Sequence, residues 1–141
     1  MYNQISGNKR KTIMLMVLLI AIVSALGWLF GQYMGSQYIT TYVLVGAVIY
    51  VLISYYSSSK LSLAVNGAKE IQKRDNPRLY RIVENLCITD GLPMPKVHII
   101  SDPGMNAFAT GRDPNHSSVA VTTGLLDALN DKELEGVMAH E

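Results

Sequence analysis

Two long runs without a charged side chain dominate the front of this chain. The first is TIMLMVLLIAIVSALGWLF, Thr12 to Phe30, and the second is YITTYVLVGAVIYVLISYY, Tyr38 to Tyr56. Between Lys11 and Lys60 there is no Asp, Glu, Lys, Arg or His. As a helix, each run extends roughly 28 Å, the thickness of a bilayer's hydrocarbon core. A helix buried in a soluble domain keeps one polar face, and neither run has one. The pattern therefore predicts two membrane-spanning helices, over 12–34 and 38–58, joined by the neutral connector GQYMGSQ. A cleaved signal peptide would share the basic front of the first run. It would not have so long an apolar core or a second span directly behind it.

Beyond about residue 60 the pattern turns globular. SSSKLSLAVNGAKEI reads as a continuation of helix with a weak point at Gly67. In DNPRLYRIVENLCITDG, Asn76 is placed to cap a helix and Pro77 fits its first position. Leu79, Ile82, Val83 and Leu86 recur at helical spacing, and Gly91 supplies a left-handed stop. Val97 to Ser101 reads as a short strand and NAFATG, Asn106 to Gly111, as a second. RDPNHSS reads as a polar loop, and VAVTTGLL, Val119 to Leu126, runs from strand toward helix, which predicts an antiparallel hairpin. The last element, NDKELEGVMAHE, opens on Asn130 with Glu133 three residues later, a capping-box pattern. Leu134, Val137 and Met138 form its apolar stripe.

Charge orients the two spans. Lys9, Arg10 and Lys11 precede the first, Lys60, Lys69, Lys73 and Arg74 follow the second, and the connector has no cation. Positive residues stay on the cytoplasmic side, so residues 1–11 and the region from 59 onward are both expected in the cytoplasm. GWLFGQYMG holds two overlapping GxxxG patterns, Gly27–Gly31 and Gly31–Gly35. They suit either close helix packing or a loose helix end entering a turn. A net charge of +1 without a basic cluster excludes a nucleic-acid footprint. Cys87 is the only cysteine, which rules out an intramolecular disulfide and a CxxC metal site. It reads as a small apolar residue on a helix face.

The candidate chemistry sits in the last two residues. In the pattern His-Glu-x-x-His, two histidines one helical turn apart reach one metal, and the Glu beside the first can take a proton from water. His140 and Glu141 match its first half. A bare His-Glu pair is weak evidence by itself. His98, on an apolar strand, and His116, in a loop, have no ligand spacing to any other residue.

Context gives the pair its meaning. MNAFATGR, VAVTTGLL and LEGVMAHE, in that order, together with the run-up through SSSKLSLAVNGAKEI and LPMPKVHIISDPGMNAFATG, closely resemble the HtpX family of membrane zinc metalloproteases. The resemblance covers nearly the whole chain. It implies a membrane α-helical hairpin followed by a truncated α+β zincin-like metallopeptidase domain over 59–141. It implies His140 as a zinc ligand and Glu141 as the general base. It also implies a multi-pass protein of the bacterial cytoplasmic membrane that cuts damaged membrane proteins, with the bilayer and polypeptide substrates as partners. The family's second His and its third ligand, a Glu, lie beyond Glu141. The chain is therefore expected to be the front portion of a longer protease, inactive as given, and not to bind zinc stoichiometrically. Substrate held as an added strand would use an edge such as Asn106, Ala107, Phe108, Ala109, Thr110 and Gly111, although plain packing explains that strand as well. Gly136, one turn before His140, either clears space beside a metal or permits helix packing. The competing reading is a non-catalytic two-span membrane protein that acts by binding a partner.

Overall fold

The computed structural model describes residues 2–141, and side chains from Ser6 onward; Met1, at the head of the expected cytoplasmic N-terminus, lies outside them. The chain divides into two units, residues 1–55 and 56–141.

The first unit is a pair of helices, α1 (Tyr2–Tyr33) and the larger part of α2 (Tyr38–Val65). Helix α1 begins well ahead of the apolar run, because nothing in ISGNKRK stops a helix from extending outward. Gly35, at φ +69°, turns the chain, and the Ser36 N–H closes the end on the Gly31 carbonyl at 3.0 Å. The glycines of the connector have distinct uses. A Cβ on Gly27 would lie 2.7 Å from Val43 Cγ1, and one on Gly31 would lie 3.0 Å from Thr40 Oγ1. Gly27 and Gly31 thus let α1 and α2 approach closely, and Gly35 makes the turn. Most large apolar side chains on both helices are exposed, from Ile13 and Met14 to Ile53 and Tyr56. Water does not tolerate an apolar surface of this extent, whereas lipid does. Both helices are long and apolar enough to cross a membrane.

The second unit is an α+β assembly. The helix expected through Gly67 instead ends at Val65. Gly67 takes φ +64°, the Ala68 N–H bonds the Leu63 carbonyl, and Lys69–Glu70 becomes a short strand, β1. Helix α3 (Pro77–Asp90) has the predicted ends. The Asn76 side chain accepts from the Leu79 N–H, Pro77 opens the helix, and Gly91 at φ +65° closes it. Strands β2 (Lys96–Ile100), β3 (Ala107–Gly111) and β4 (Ser117–Thr122) complete a sheet of order β1-β2-β4-β3. A one-turn 3-10 segment, Pro114–His116, lies in the expected polar loop.

The hairpin β3–β4 is antiparallel, as its short loop predicts, with Ala109 opposite Val119. β4 also pairs in parallel with β2, which places it between its two sequence predecessors. Helix α4 (Thr123–Ala128) starts at once, capped by Thr122, and α5 (Asp131–His140) follows after a two-residue joint. The core gathers Leu79 and Val83 of α3, Val97 of β2, Val119 and Val121 of β4, Leu125 and Leu126 of α4, and Leu134 and Met138 of α5. Val137, the third member of the expected stripe, is only partly buried. One face of the sheet and three helices thus share one apolar interior.

Candidate active site

Helix α5 carries the two residues singled out at the chain's end, and its own sequence fixes where it begins. Asn130 Oδ1 accepts from the Lys132 and Glu133 N–H groups, and Glu133 Oε2 accepts from the Asn130 N–H at 2.9 Å. Asp131 and Glu133 place negative charge at the positive end of the helix dipole. Leu134, fully buried, and Met138, nearly so, press one face onto the core. The opposite face keeps Gly136 and His140 exposed, one turn apart. No atom lies within 4 Å of the position a Cβ would take on Gly136. Within this segment the face of α5 at Gly136, beside His140, is open. The Glu141 N–H still bonds helically to the Val137 carbonyl, at 3.2 Å.

Glu141 reaches the sheet. Its Oε2 accepts a hydrogen bond from the Ala109 N–H at 3.0 Å. Ala109 is the middle residue of β3, and β3 is the outer strand. In an antiparallel pair, alternate residues turn their backbone groups toward the partner strand. The Thr122 N–H bonds the Asn106 carbonyl at 3.0 Å, so the even-numbered positions face β4. Ala107, Ala109 and Gly111 then point their N–H and C=O groups off the sheet. The six candidate edge residues thus separate into two classes. Asn106 lies just outside the strand and is tied to Thr122 Oγ1 through both its N–H and its carbonyl, each at 2.9 Å. Phe108 and Thr110 pair inward with Ala120 and Ser118. Ala107, Ala109 and Gly111 make the outward edge among the described residues, with the Ala109 N–H held by Glu141, and their small size leaves the approach to it open.

An apolar cleft of about 250 Å³ adjoins this edge, lined by Leu86, Cys87, Ala109, Val119, Met138 and Glu141 among others. Burial, and then the negative charge of Asp90, push the Cys87 thiol up from its ordinary value. Its partly buried place on α3, against the core, agrees with its reading as a small apolar residue on a helix face.

The other histidines are engaged elsewhere. His98 is buried in β2, with Nδ1 3.3 Å from the Lys96 carbonyl oxygen. His116 Nδ1 lies 2.7 Å from Asp113 Oδ1 at the hairpin tip. The hydrogen bond from His116, with its positive charge and the Arg112 guanidinium adding to it, holds the Asp113 carboxyl below its ordinary value. Among the described residues, no group of three or more His, Cys, Asp or Glu side chains is arranged to hold a metal. A tetrahedral zinc site takes at least three protein ligands.

The pairing of Glu141 with Ala109 was not legible in the sequence. The alternation of small residues at 107, 109 and 111 was the available signal. It became specific only once β4 proved to occupy the inner side of β3.

Comparison with known proteins places the chain. Peptidase family M48 matches residues 73–141, from just ahead of α3 to the last residue. A protein named Protease HtpX homolog from Tropheryma whipplei (strain Twist) is 48% identical over 141 residues, covering 100% of this chain and 48% of the relative. Proteins of the same name from Lactobacillus helveticus (strain DPC 4571) and Streptococcus pyogenes serotype M5 (strain Manfredo) are 48% and 41% identical, again over 100% of this chain and 48% of each relative. The chain spans about half the length of the curated relatives it matches.

Proposed function

Since this chain is a segment of the HtpX protease family, we propose that the intact protein is a membrane-anchored, zinc-dependent endopeptidase acting in quality control of membrane proteins. The apolar helices, over residues 12–34 and 38–58, span the bacterial cytoplasmic membrane. Residues 1–11 and 59–141 lie on the cytoplasmic side, where the cation distribution directs them. Residues 59–141 form the first part of a zincin-like domain. His140 is one zinc ligand, and the remaining ligands lie outside this segment.

The observation that carries the reading is the bond between Glu141 Oε2 and the Ala109 N–H, with open space at Gly136 beside His140. It places a carboxylate directly against the free edge of the outer strand. A polypeptide in extended form adds to such an edge through main-chain hydrogen bonds, which are indifferent to sequence. That suits a protease acting on many damaged proteins. The added strand's peptide groups then run past Glu141. Its carboxylate is placed to take a proton from the attacking water and to hand one to the leaving amine. In doing so it must exchange its bond to Ala109 for bonds to water and substrate.

The test is made on the intact protease in detergent or proteoliposomes, with an unfolded protein substrate. Glu141→Gln should lower kcat by about 10²–10⁴-fold while zinc stays bound, the range expected for loss of a general base. His140→Ala should release the metal. Ala109→Pro removes the outward N–H, which does not donate into the ladder, and with it the bond to Glu141, and should raise KM. Cleavage by Glu141→Gln at the wild-type rate refutes the reading. An intact protein that cleaves nothing leaves instead a two-span protein whose cytoplasmic part binds partners.

A further inference from the structure

Helix α4 lacks the usual means of ending. Its cap residue is Leu129, at φ −101° and ψ 141°, with no glycine to take the left-handed turn that satisfies the last carbonyls. The Leu125 carbonyl still accepts from the Leu129 N–H, and the carbonyls of Leu126 and of the cap residue Leu129 are bonded from another element. Arg78, in the first turn of α3, donates from Nη1 to the Leu126 carbonyl at 2.9 Å and from Nη2 to the Leu129 carbonyl at 2.6 Å. Its Nε donates to Asp131 Oδ1 at 2.6 Å. Asp131 is the first residue of α5. One planar guanidinium thus grips the end of α4, the joint and the start of α5 together.

As an ion pair this contact contributes little to stability, because Arg78 and Asp131 are both partly in solvent, at 37% and 78% side-chain exposure. Its value is directional. A guanidinium presents donors in a rigid fork, so three acceptors at fixed positions determine the orientation of what carries them. Helix α5 is a lever hinged at that joint. Ten residues span roughly 15 Å, so a tilt of about 10° at Asp131 moves the far end by roughly 2.5 Å. At the far end stand His140 and Glu141, the latter 3.0 Å from its partner on β3. Leu134 and Met138 hold the helix at its depth against the core, and the clamp fixes where the helix starts.

We propose that Arg78 is a positioning residue of the peptidase site: its clamp on the α4–α5 joint sets where α5 delivers His140 and Glu141 relative to the edge strand β3. The inference rests on the functional reading above and adds to it a control point at the opposite end of the helix. Displacements of about 1 Å at a catalytic group cost up to about 10²-fold in rate. A Lys at 78 keeps the charge but offers no fork.

The test uses the intact protease with Arg78→Lys, Arg78→Ala and Asp131→Asn, measuring kcat, KM, zinc content, thermal melting and amide hydrogen exchange. The expected result for Arg78→Lys is unchanged zinc and melting, KM within about two-fold, and kcat down by about 10–100-fold. Asp131→Asn should show a smaller loss of the same kind. In Arg78→Ala, exchange should quicken in residues 134–140 and not in β2 or β4. Wild-type kcat in both Arg78 variants overturns the proposal. So does a loss that disappears when activity is counted per folded, zinc-loaded molecule. If the wild-type protein cleaves nothing, the protease reading fails by itself and the exchange measurement decides the clamp. Quickening confined to α5 then sustains it, and unchanged exchange overturns it.

Discussion

Gly124 offers the sharpest quantitative test of how the edge strand is held. It is the second residue of α4, and the loop 101–106 that leads into β3 lies directly over it. A Cβ at this position would be 2.0 Å from the Pro103 carbonyl oxygen and 2.4 Å from its carbon. Both are backbone atoms, so no side chain can swing aside. In Gly124→Ala the loop must retreat by about 1 Å to reach even a tight contact near 3.0 Å. If it retreats as a unit, the overpacking costs about 1–3 kcal/mol. If it lifts away, it loses the bonds that Gly124 N–H and Thr123 Oγ1 each make to the Asp102 carbonyl, both at 2.9 Å. Two such bonds are worth about 1 kcal/mol each. Either route gives a destabilisation of about 2 kcal/mol. Gly136→Ala supplies the contrast. Nothing in this segment lies within 4 Å of its added methyl, and Ala exceeds Gly in an α-helix by about 1 kcal/mol, so in the 141-residue chain that variant should be more stable. Denaturant titration in detergent, followed by a probe within residues 59–141, reads both, Gly124→Ala in the intact protein and Gly136→Ala in the 141-residue chain. A Gly124→Ala midpoint shift below about 0.5 kcal/mol would refute the close-contact argument, because surface substitutions away from special features fall in that range. A destabilised Gly136→Ala would refute the open face. If Gly136 clears room beside the metal, the stabilised variant should nevertheless lose activity.

Leu134→Ala removes a fully buried side chain where α5 meets the core and should cost about 2–5 kcal/mol in the same titration, whereas Glu135→Ala, on the exposed face, should fall within about 0.5 kcal/mol of wild type. Asp113 has its carboxyl held below its unfolded value of about 3.9, so its contribution is complete above that pH and is lost as pH falls through the lower folded value. Protection of the β3–β4 hairpin amides, taken relative to their intrinsic exchange rates, should therefore fall below about pH 4, and Asp113→Asn should flatten that acid dependence. Equilibrium dialysis of the 141-residue chain against zinc should find less than one tightly held ion per chain, and none that depends on His140 alone; a stoichiometric, His140-dependent zinc would show that these residues complete a site.

The sequence by itself determined whatever depends on neighbours along the chain. The charge-free runs marked α1 and α2, since a bilayer-length apolar helix needs only its own composition. Asn76, Pro77 and Gly91 set the ends of α3, and Asn130 with Glu133 set the start of α5, because caps act over three or four residues. The order of motifs around Asn106, Val119 and His140 named the family. Tertiary structure decided the rest. Whether SLAVNGAKEI stayed helical depended on β2 offering an edge to Lys69–Glu70, a pairing made with residues almost thirty positions later. The insertion of β4 between β2 and β3 decided which backbone groups of Ala107 to Gly111 were free, since a one-residue change of register exchanges the two sets. The grip of Arg78 on Leu126, Leu129 and Asp131 joins residues some fifty positions apart, and no local periodicity encodes it. Local rules fix a helix's ends and an apolar stripe. Which strand edge the Glu141 side chain meets is a property of long-range packing, and it appears only once the core has closed.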